Sequence, residues 1–200
     1  EDAAVSASGY STVANSKSIE FREAYHKSGN LVFYMPFDEG NGTLTVDRVG
    51  DGHIGYFSGN PAWTTGKRGQ ALQFDGTEDK VSVPSYAGIT GNAAFSIGLW
   101  FKSNHNTNRS NMVGWGIDGS AGQRLSLNLK DLKVRVDNYG GNHESTNTYG
   151  DNQWHHLVVT KPLNTSTVKY YLNGTLISGS GSLASFNLST SDRFTIGGPV

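Results

Sequence analysis

The stretch Gly66-Lys67-Arg68-Gly69-Gln70-Ala71-Leu72-Gln73-Phe74-Asp75-Gly76-Thr77-Glu78-Asp79-Lys80-Val81-Ser82-Val83-Pro84 decides the fold class. Ala71, Leu72 and Phe74, then Val81 and Val83, form two short apolar runs separated by the acidic, glycine-containing segment Asp75 to Asp79. Short apolar runs bounded by turn formers read as strands, so the stretch predicts a hairpin with a polar tip. Outward from it, Val, Ile, Thr, Tyr, Phe and Trp recur in short segments, and no window of helical length carries an apolar stripe at i, i+3, i+4 and i+7. With 26 Gly and 5 Pro in 200 residues, the chain reads as all-β. Its length suits one sandwich with a single core.

Charge excludes several partners. Lys+Arg 16 against Asp+Glu 17 gives a formal net charge of -1, which argues against nucleic acid and anionic membrane surfaces, since both need a basic footprint. No apolar run approaches the roughly 18 residues of a membrane span, so no membrane insertion is expected. The absence of cysteine rules out disulfides and thiolate chemistry and leaves zinc to His and carboxylates alone. A start at Glu1 without Met, with Asn/Ser/Thr/Gly-rich segments throughout, predicts an extracellular or cell-surface location.

Along the chain, residues 1–16 read as a linker or flexible N-terminal segment and 17–200 as the sandwich. Ile19, Phe21 and Tyr25 share one phase of a period-2 pattern over 18–25, and Leu31-Val32-Phe33-Tyr34-Met35 is a continuous apolar run that predicts a strand buried on both faces. Phe95, Ile97 and Leu99 alternate as a central strand. Leu125 to Leu129 and Leu132 to Val136 alternate too, predicting a hairpin with one wet face. Asn173-Gly174 between Tyr171-Leu172 and Leu176-Ile177 is the strongest hairpin signal, because a type I′ turn needs positive φ at both central positions. The polar segment 138–152 exceeds an ordinary hairpin loop.

Phe37-Asp38-Glu39-Gly40, the strand Phe95 to Phe101, Trp154-His155-His156 and Tyr171-Leu172-Asn173-Gly174 together resemble the laminin-G-like, concanavalin A-like lectin/glucanase jelly-roll family, from Leu31 to Gly198. The resemblance implies a two-sheet antiparallel jelly-roll sandwich. It also implies that Trp154 and one of the two histidines pack within it. Phe74, Val81, Phe95, Ile97, Leu99, Leu127, Val134, Trp154, Val158 and Tyr170 are the expected core. Relatives of this kind continue past the strand matching Phe194-Thr195-Ile196-Gly197 with another that returns beside the first. Residues 18–25 loosely resemble that strand, and the expectation is that they fill its slot in their own domain or, by strand exchange, in a neighbouring subunit's.

The chemistry is weighed on the same residues. Retaining glycoside hydrolysis needs two carboxyl groups about 5 to 5.5 Å apart, and the acidic residues here are scattered singly or sit in turns, so no catalytic residues are assigned and a glycosidase or polysaccharide lyase is the less favoured reading. His155 and His156 are strand neighbours pointing to opposite faces and cannot chelate one ion together. Related sandwiches often hold a structural Ca²⁺, and Asp38, Asp75 and Glu20 are the candidate ligands, against the alternative of solvated turn carboxylates. Sugar binding needs aromatic faces beside hydroxyl partners. Tyr139, Asn142, His143, Tyr149 and Asn152 offer both in one segment, with His105 in another loop. The expected function is a non-catalytic binding or adhesion module for a glycan or an extracellular protein; the alternative is a structural or protein-contact spacer of a larger adhesin or filament.

Overall fold

The computed structural model describes residues 31–49, 52–84, 86–104, 109–190 and 194–198. The linker reading of residues 1–16, the strand reading of 18–25, Glu20 and His105 lie outside the described residues. Within them the protein is an all-β sandwich of antiparallel sheets. One sheet has nine strands in the order β1 (Leu44–Val46), β2 (Ile54–Ser58), β5 (Lys80–Val83), β15 (Phe194–Gly197), β7 (Ser110–Gly116), β8 (Arg124–Lys130), β9 (Lys133–Asp137), β10 (Asn142–Ser145) and β14 (Gly179–Ser182). Facing it is a four-stranded sheet in the order β13 (Thr175–Ile177), β12 (Lys169–Leu172), β11 (His155–Lys161) and β6 (Phe95–Phe101). A separate hairpin pairs β3 (Ala62–Thr65) with β4 (Gln70–Gln73).

The stretch 66–84 is therefore two strands but not one hairpin. β4 turns back onto β3, whereas β5 enters the nine-stranded sheet between β2 and β15. Asp79 explains the parting. Its buried carboxylate accepts the Asn60 N–H through Oδ1 and the Asp75 N–H, 3.0 Å away, through Oδ2, so the acidic segment folds around this side chain as a corner rather than opening as a hairpin tip. Phe74, at that corner, is half-buried rather than in the core and lies against Gly197, where an added Cβ would come within 2.6 Å of its ring.

Alternation places the core between the two sheets. Val83, Leu125, Leu127, Val134 and Val136 from the nine-stranded sheet meet Phe95, Leu157, Val159 and Tyr170 from the four-stranded one, and Val81 is fully buried beside them on β5. β6 and β11 pair in register, Leu99 opposite Leu157 and Ile97 opposite Val159, which sets Leu157 and Val159 inward and Trp154, His156 and Val158 on the other phase. Val158 and Trp154 are accordingly half-buried and do not belong to the core, contrary to expectation. Lys161 ends the inward phase of β11. Its buried ammonium donates to the carbonyls of Asn92, Ala93 and Pro162 at 3.2, 3.0 and 3.1 Å and lies over the rings of Phe95 and Phe186, and burial lowers its pKa.

Three further expectations change. Leu31 to Met35 is not a doubly buried strand: Val32 and Tyr34 are exposed, and the segment is held by Tyr34 N–H donating to Asp47 Oδ1 at 2.8 Å and Arg48 N–H donating to the Tyr34 carbonyl at 2.8 Å. The polar segment 138–152 is not all loop, since β10 forms within it and pairs with β9 and β14. The polar phase of the β8–β9 hairpin is less wet than expected, because Ser126, Asn128, Arg135 and Asp137 are buried while Arg124, Lys130 and Lys133 stay half-buried. Its turn is Asp131-Leu132, both at positive φ, 51° and 63°. Asn173-Gly174 takes the expected conformation, with φ of 50° and 84°.

The register of β11 is tested by neighbouring substitutions. Leu157→Ala is expected to cost about 2 to 5 kcal/mol and Val158→Ala well under half as much, read from chemical denaturation midpoints at constant slope. The reverse order would mean that the strand sits one residue out of register.

Candidate functional site

The outward phase of the four-stranded sheet carries an aromatic group. On β6 the residues opposite in phase to Phe95, Ile97, Leu99 and Phe101 are Ser96, Gly98 and Trp100. Trp100 is paired with His156 across the strands, and their rings lie 5.0 Å apart, tilted by 37°. Trp154, two residues before His156, extends the same phase. Lys67, from the turn between β3 and β4, holds its ammonium 5.7 Å from the Trp100 ring centroid, and Asn173 closes the other side from its turn. Lys67, Trp100, Trp154, His156 and Asn173 line a surface depression of about 430 Å³, and Trp100 remains 40% exposed within it. Gly98 keeps the ground beside the indole low, for a Cβ there would meet only the Val158 methyl at 3.9 Å.

A relay from beneath fixes the rim. Asp151 Oδ1 and His155 Nε2 are 2.9 Å apart, and His155 Nδ1 lies 3.3 Å from Asn173 Nδ2. The arrangement is satisfied by a neutral imidazole that donates from Nε2 to the carboxylate and accepts the amide N–H at Nδ1. The His155 hydrogen bond, above all, holds the Asp151 carboxyl below its ordinary pKa. Asn173 Oδ1 in turn accepts the His156 backbone N–H at 2.9 Å. His155 is thus the buried, structural histidine of the pair, while His156 faces the depression.

The site residues expected from the sequence fall in different places. Tyr139 stands at the end of β9 and is 48% exposed; its N–H donates to Asp137 Oδ1 at 3.0 Å, which holds the residue at a φ of 67°, and the Arg124 guanidinium lies 5.5 Å from its ring centroid. Asn142 is the cross-strand partner of Asp137 and shares its face. His143 is on the opposite phase, its Nδ1 3.2 Å from the Tyr170 hydroxyl. That hydroxyl donates to the His143 carbonyl and accepts the Val136 N–H at 3.3 Å, and burial raises its pKa well beyond the ordinary tyrosine range. Tyr149 packs edge-on against His155 at 5.9 Å, and Asn152 is held through its backbone N–H by the Ser103 carbonyl at 2.9 Å. Tyr139 and Asn142 therefore flank one polar face, while His143 and Tyr149 pack against Tyr170 and His155.

That polar face is an ion-pair network. Asp137 accepts from Arg124 at 2.7 Å, from Arg109, which reaches across β8, at 3.3 Å, and from Arg135 at 3.5 Å. Burial works to raise the Asp137 carboxyl, but the Tyr139 N–H and Arg124, aided by Arg109, outweigh it and hold it below the usual carboxylate range. Glu144, on the same face, is paired with Lys133 at 3.1 Å. Asp137, held low, does not suit a general acid, which needs a raised pKa.

Of the calcium candidates, Asp38 and Asp75 lie within the described residues and Glu20 does not. Asp38 Oδ1 accepts the Gln70 N–H at 3.0 Å, and Asp75 accepts the N–H and hydroxyl of Thr77. Among the described residues no group of three or more His, Asp or Glu side chains is arranged to hold a metal ion.

A family model described as the concanavalin A-like lectin/glucanases superfamily matches residues 75–199. No curated protein matches the chain. Among solved structures, it is similar to domain 4 of AbnA, a GH43 extracellular arabinanase from Geobacillus stearothermophilus, in complex with arabinotriose, with 17% identity, a TM-score of 0.60 and 84% of each chain covered. It is also similar to botulinum neurotoxin type C, whose cell entry depends on two ganglioside molecules, with 15% identity, a TM-score of 0.57, and 88% of this chain against 44% of that one covered. A Trypanosoma rangeli sialidase mutant with trans-sialidase activity shows 16% identity and a TM-score of 0.52, over 92% of this chain and 33% of its own. At these identities the likeness is one of fold.

Burial lowers the His143 pKa from its ordinary 6.5. The unfolded chain then binds more protons than the folded one below about pH 6.5, so this contribution to stability is complete above that pH and falls as pH drops through the window. Asp137, lowered from 3.8, acts in the same sense at more acidic pH: its contribution is present above the unfolded value and lost as pH falls through the folded one. Urea midpoints should therefore decline from about pH 8 to about pH 5.5, and His143→Gln should flatten the decline. An equal gap between wild type and variant at both pH values would place the imidazole in a water-like setting.

Proposed function

The chain belongs to the concanavalin A-like lectin/glucanases superfamily, and from that premise we propose that it is a non-catalytic carbohydrate-binding module of a secreted or cell-surface protein. The observation that carries the proposal is the exposed Trp100, flanked by Trp154 and His156, in a depression whose rim supplies Lys67 and Asn173. A pyranose offers an apolar C–H face and a ring of hydroxyls. An indole takes the first, and amide, imidazole and ammonium groups take the second. The platform stands on paired strands, and the Asp151–His155–Asn173 relay holds its rim, so little ordering remains to be done on binding. The arabinanase domain complexed with arabinotriose and the ganglioside-dependent toxin give this fold precedents among glycan-linked proteins, and they lend the extracellular placement its support.

A second location for the same activity has one observation in its favour. On the polar face of the nine-stranded sheet, Asn128 Oδ1 and Arg135 Nε are buried without a hydrogen-bond partner, beside exposed Tyr139 and strand-borne Asn142. Catalysis is not part of the proposal, because Asp137 and Glu144 are tied into ion pairs.

A glycan array on the wild-type chain, followed by titration of the best binder, tests the reading. Trp100→Ala should weaken binding about tenfold or more and Tyr139→Ala should leave it within about twofold, both variants keeping the wild-type melting temperature. Loss with Tyr139→Ala alone moves the site to the polar face. Binding of no glycan, or hydrolysis of the bound one, removes the proposal.

A further inference from the structure

We infer that the ligand of the Trp100 depression is an acidic saccharide, a pyranose bearing a carboxylate, which stacks on the indole and pairs with Lys67. The inference rests on the reading of the depression as a glycan site and specifies its ligand.

The argument is one of charge at an apolar face. The strands of the four-stranded sheet, Phe95–Phe101, His155–Lys161, Lys169–Leu172 and Thr175–Ile177, contain no Asp or Glu. Their outward phase carries Lys169, and Lys67 with its neighbour Arg68 overhangs from the β3–β4 turn. Two carboxylates of neighbouring segments hold other groups, Asp38 the Gln70 N–H and Asp151 the His155 ring and the Gln153 N–H. Among the described residues Lys67 meets no carboxylate, and its ammonium lies over the Trp100 ring, 5.7 Å from the centroid.

This position constrains what can bind. A ring laid on Trp100 displaces water from the adjacent ammonium, and stripping water from an uncompensated charge is costly. A neutral sugar returns only hydroxyl contacts. A carboxylate on the ring edge returns an ion pair in the same partly desolvated place, where it is stronger than in bulk water. Trp100 then serves affinity for any pyranose, while Lys67 discriminates acidic from neutral ones, so the two residues separate in their effects.

The experiment uses matched probes: galacturonate and alginate trisaccharides and sialyllactose, each beside its carboxyl-reduced neutral counterpart, titrated by tryptophan fluorescence at low salt. Wild type is expected to bind at least one acidic probe about tenfold or more tighter than its reduced form. Lys67→Gln should shrink that ratio to about twofold or less by weakening the acidic form far more than the neutral one, and Trp100→Ala should weaken both forms together. Equal wild-type binding of acidic and reduced forms overturns the inference while the glycan reading stands. A preference that survives in Lys67→Gln overturns it as well, and so does failure of every acidic probe when a neutral glycan binds with Trp100 dependence. Binding of acidic probes that Trp100→Ala does not weaken overturns both.

Discussion

The antiparallel pairing of β6 with β11 is the constraint on which the rest of the site depends. Side chains alternate strictly along a strand, so one register decision assigns every residue of both strands to the core or to the outer face. With Leu99 opposite Leu157 and Ile97 opposite Val159, the inward phase joins the common core, and Trp100 is left outside opposite His156. A slip of one residue would bury the indole and His156 and expose Leu157. The apolar core and the aromatic platform are therefore two consequences of one pairing, and the free energy of the first holds the geometry of the second. Lys161 shows how far the core reaches along this pair, because even the charged end of the inward phase is buried, compensated by three carbonyls rather than by a carboxylate.

The second support is polar and comes from beneath. Asn173 must adopt positive φ for the turn to close, a conformation Asn tolerates. The same side chain binds the His156 backbone and the His155 ring, which is itself held by Asp151. A residue chosen for its backbone freedom thereby also fixes where the rim of the depression lies. His155 is structural and His156 is presented, and the difference between these adjacent, identical residues is set by strand phase alone.

Much of the architecture could be read from the sequence, for reasons that also explain the failures. Clean alternation, as in Phe95 to Leu99 and Leu125 to Leu129, and the Asn-Gly turn are local signals, and the strands they mark are present. Pairing is not local. Two good strand signals at 71–74 and 81–83 suggested each other as partners, but a single buried carboxylate, Asp79, turns the chain between them and sends them to different sheets. Burial on the polar phase of β8 and β9 was equally out of reach, since Ser126, Asn128, Arg135 and Asp137 spell a wet face unless their arginine-bridged network is known. The outward position of Trp100 was legible, because it lies out of phase with Phe95, Ile97 and Leu99. The Asn- and Tyr-rich segment 138–152 has the composition of a site, but within it β10 turns His143 onto Tyr170.

Global charge is a poor guide to what such a fold can bind. A formal net charge of -1 describes a chain whose carboxylates are unevenly spread: Asp38, Asp75 and Asp79 serve turns, Asp137 and Glu144 serve the ion pairs of the nine-stranded sheet, and none falls in the strands of the other. Screening confines the influence of a surface charge to within about 10 Å at ordinary ionic strength. A ligand at Trp100 therefore responds to Lys67 and its immediate surroundings and hardly at all to the acidic residues across the sandwich. Near-neutrality supplies no broad basic footprint of the kind a nucleic-acid duplex calls for, but it places no such limit on a single sugar ring. Recognition at that scale is decided by the few groups that lose water together, and here these are an indole, an imidazole, an amide and an ammonium that meets no carboxylate among the described residues.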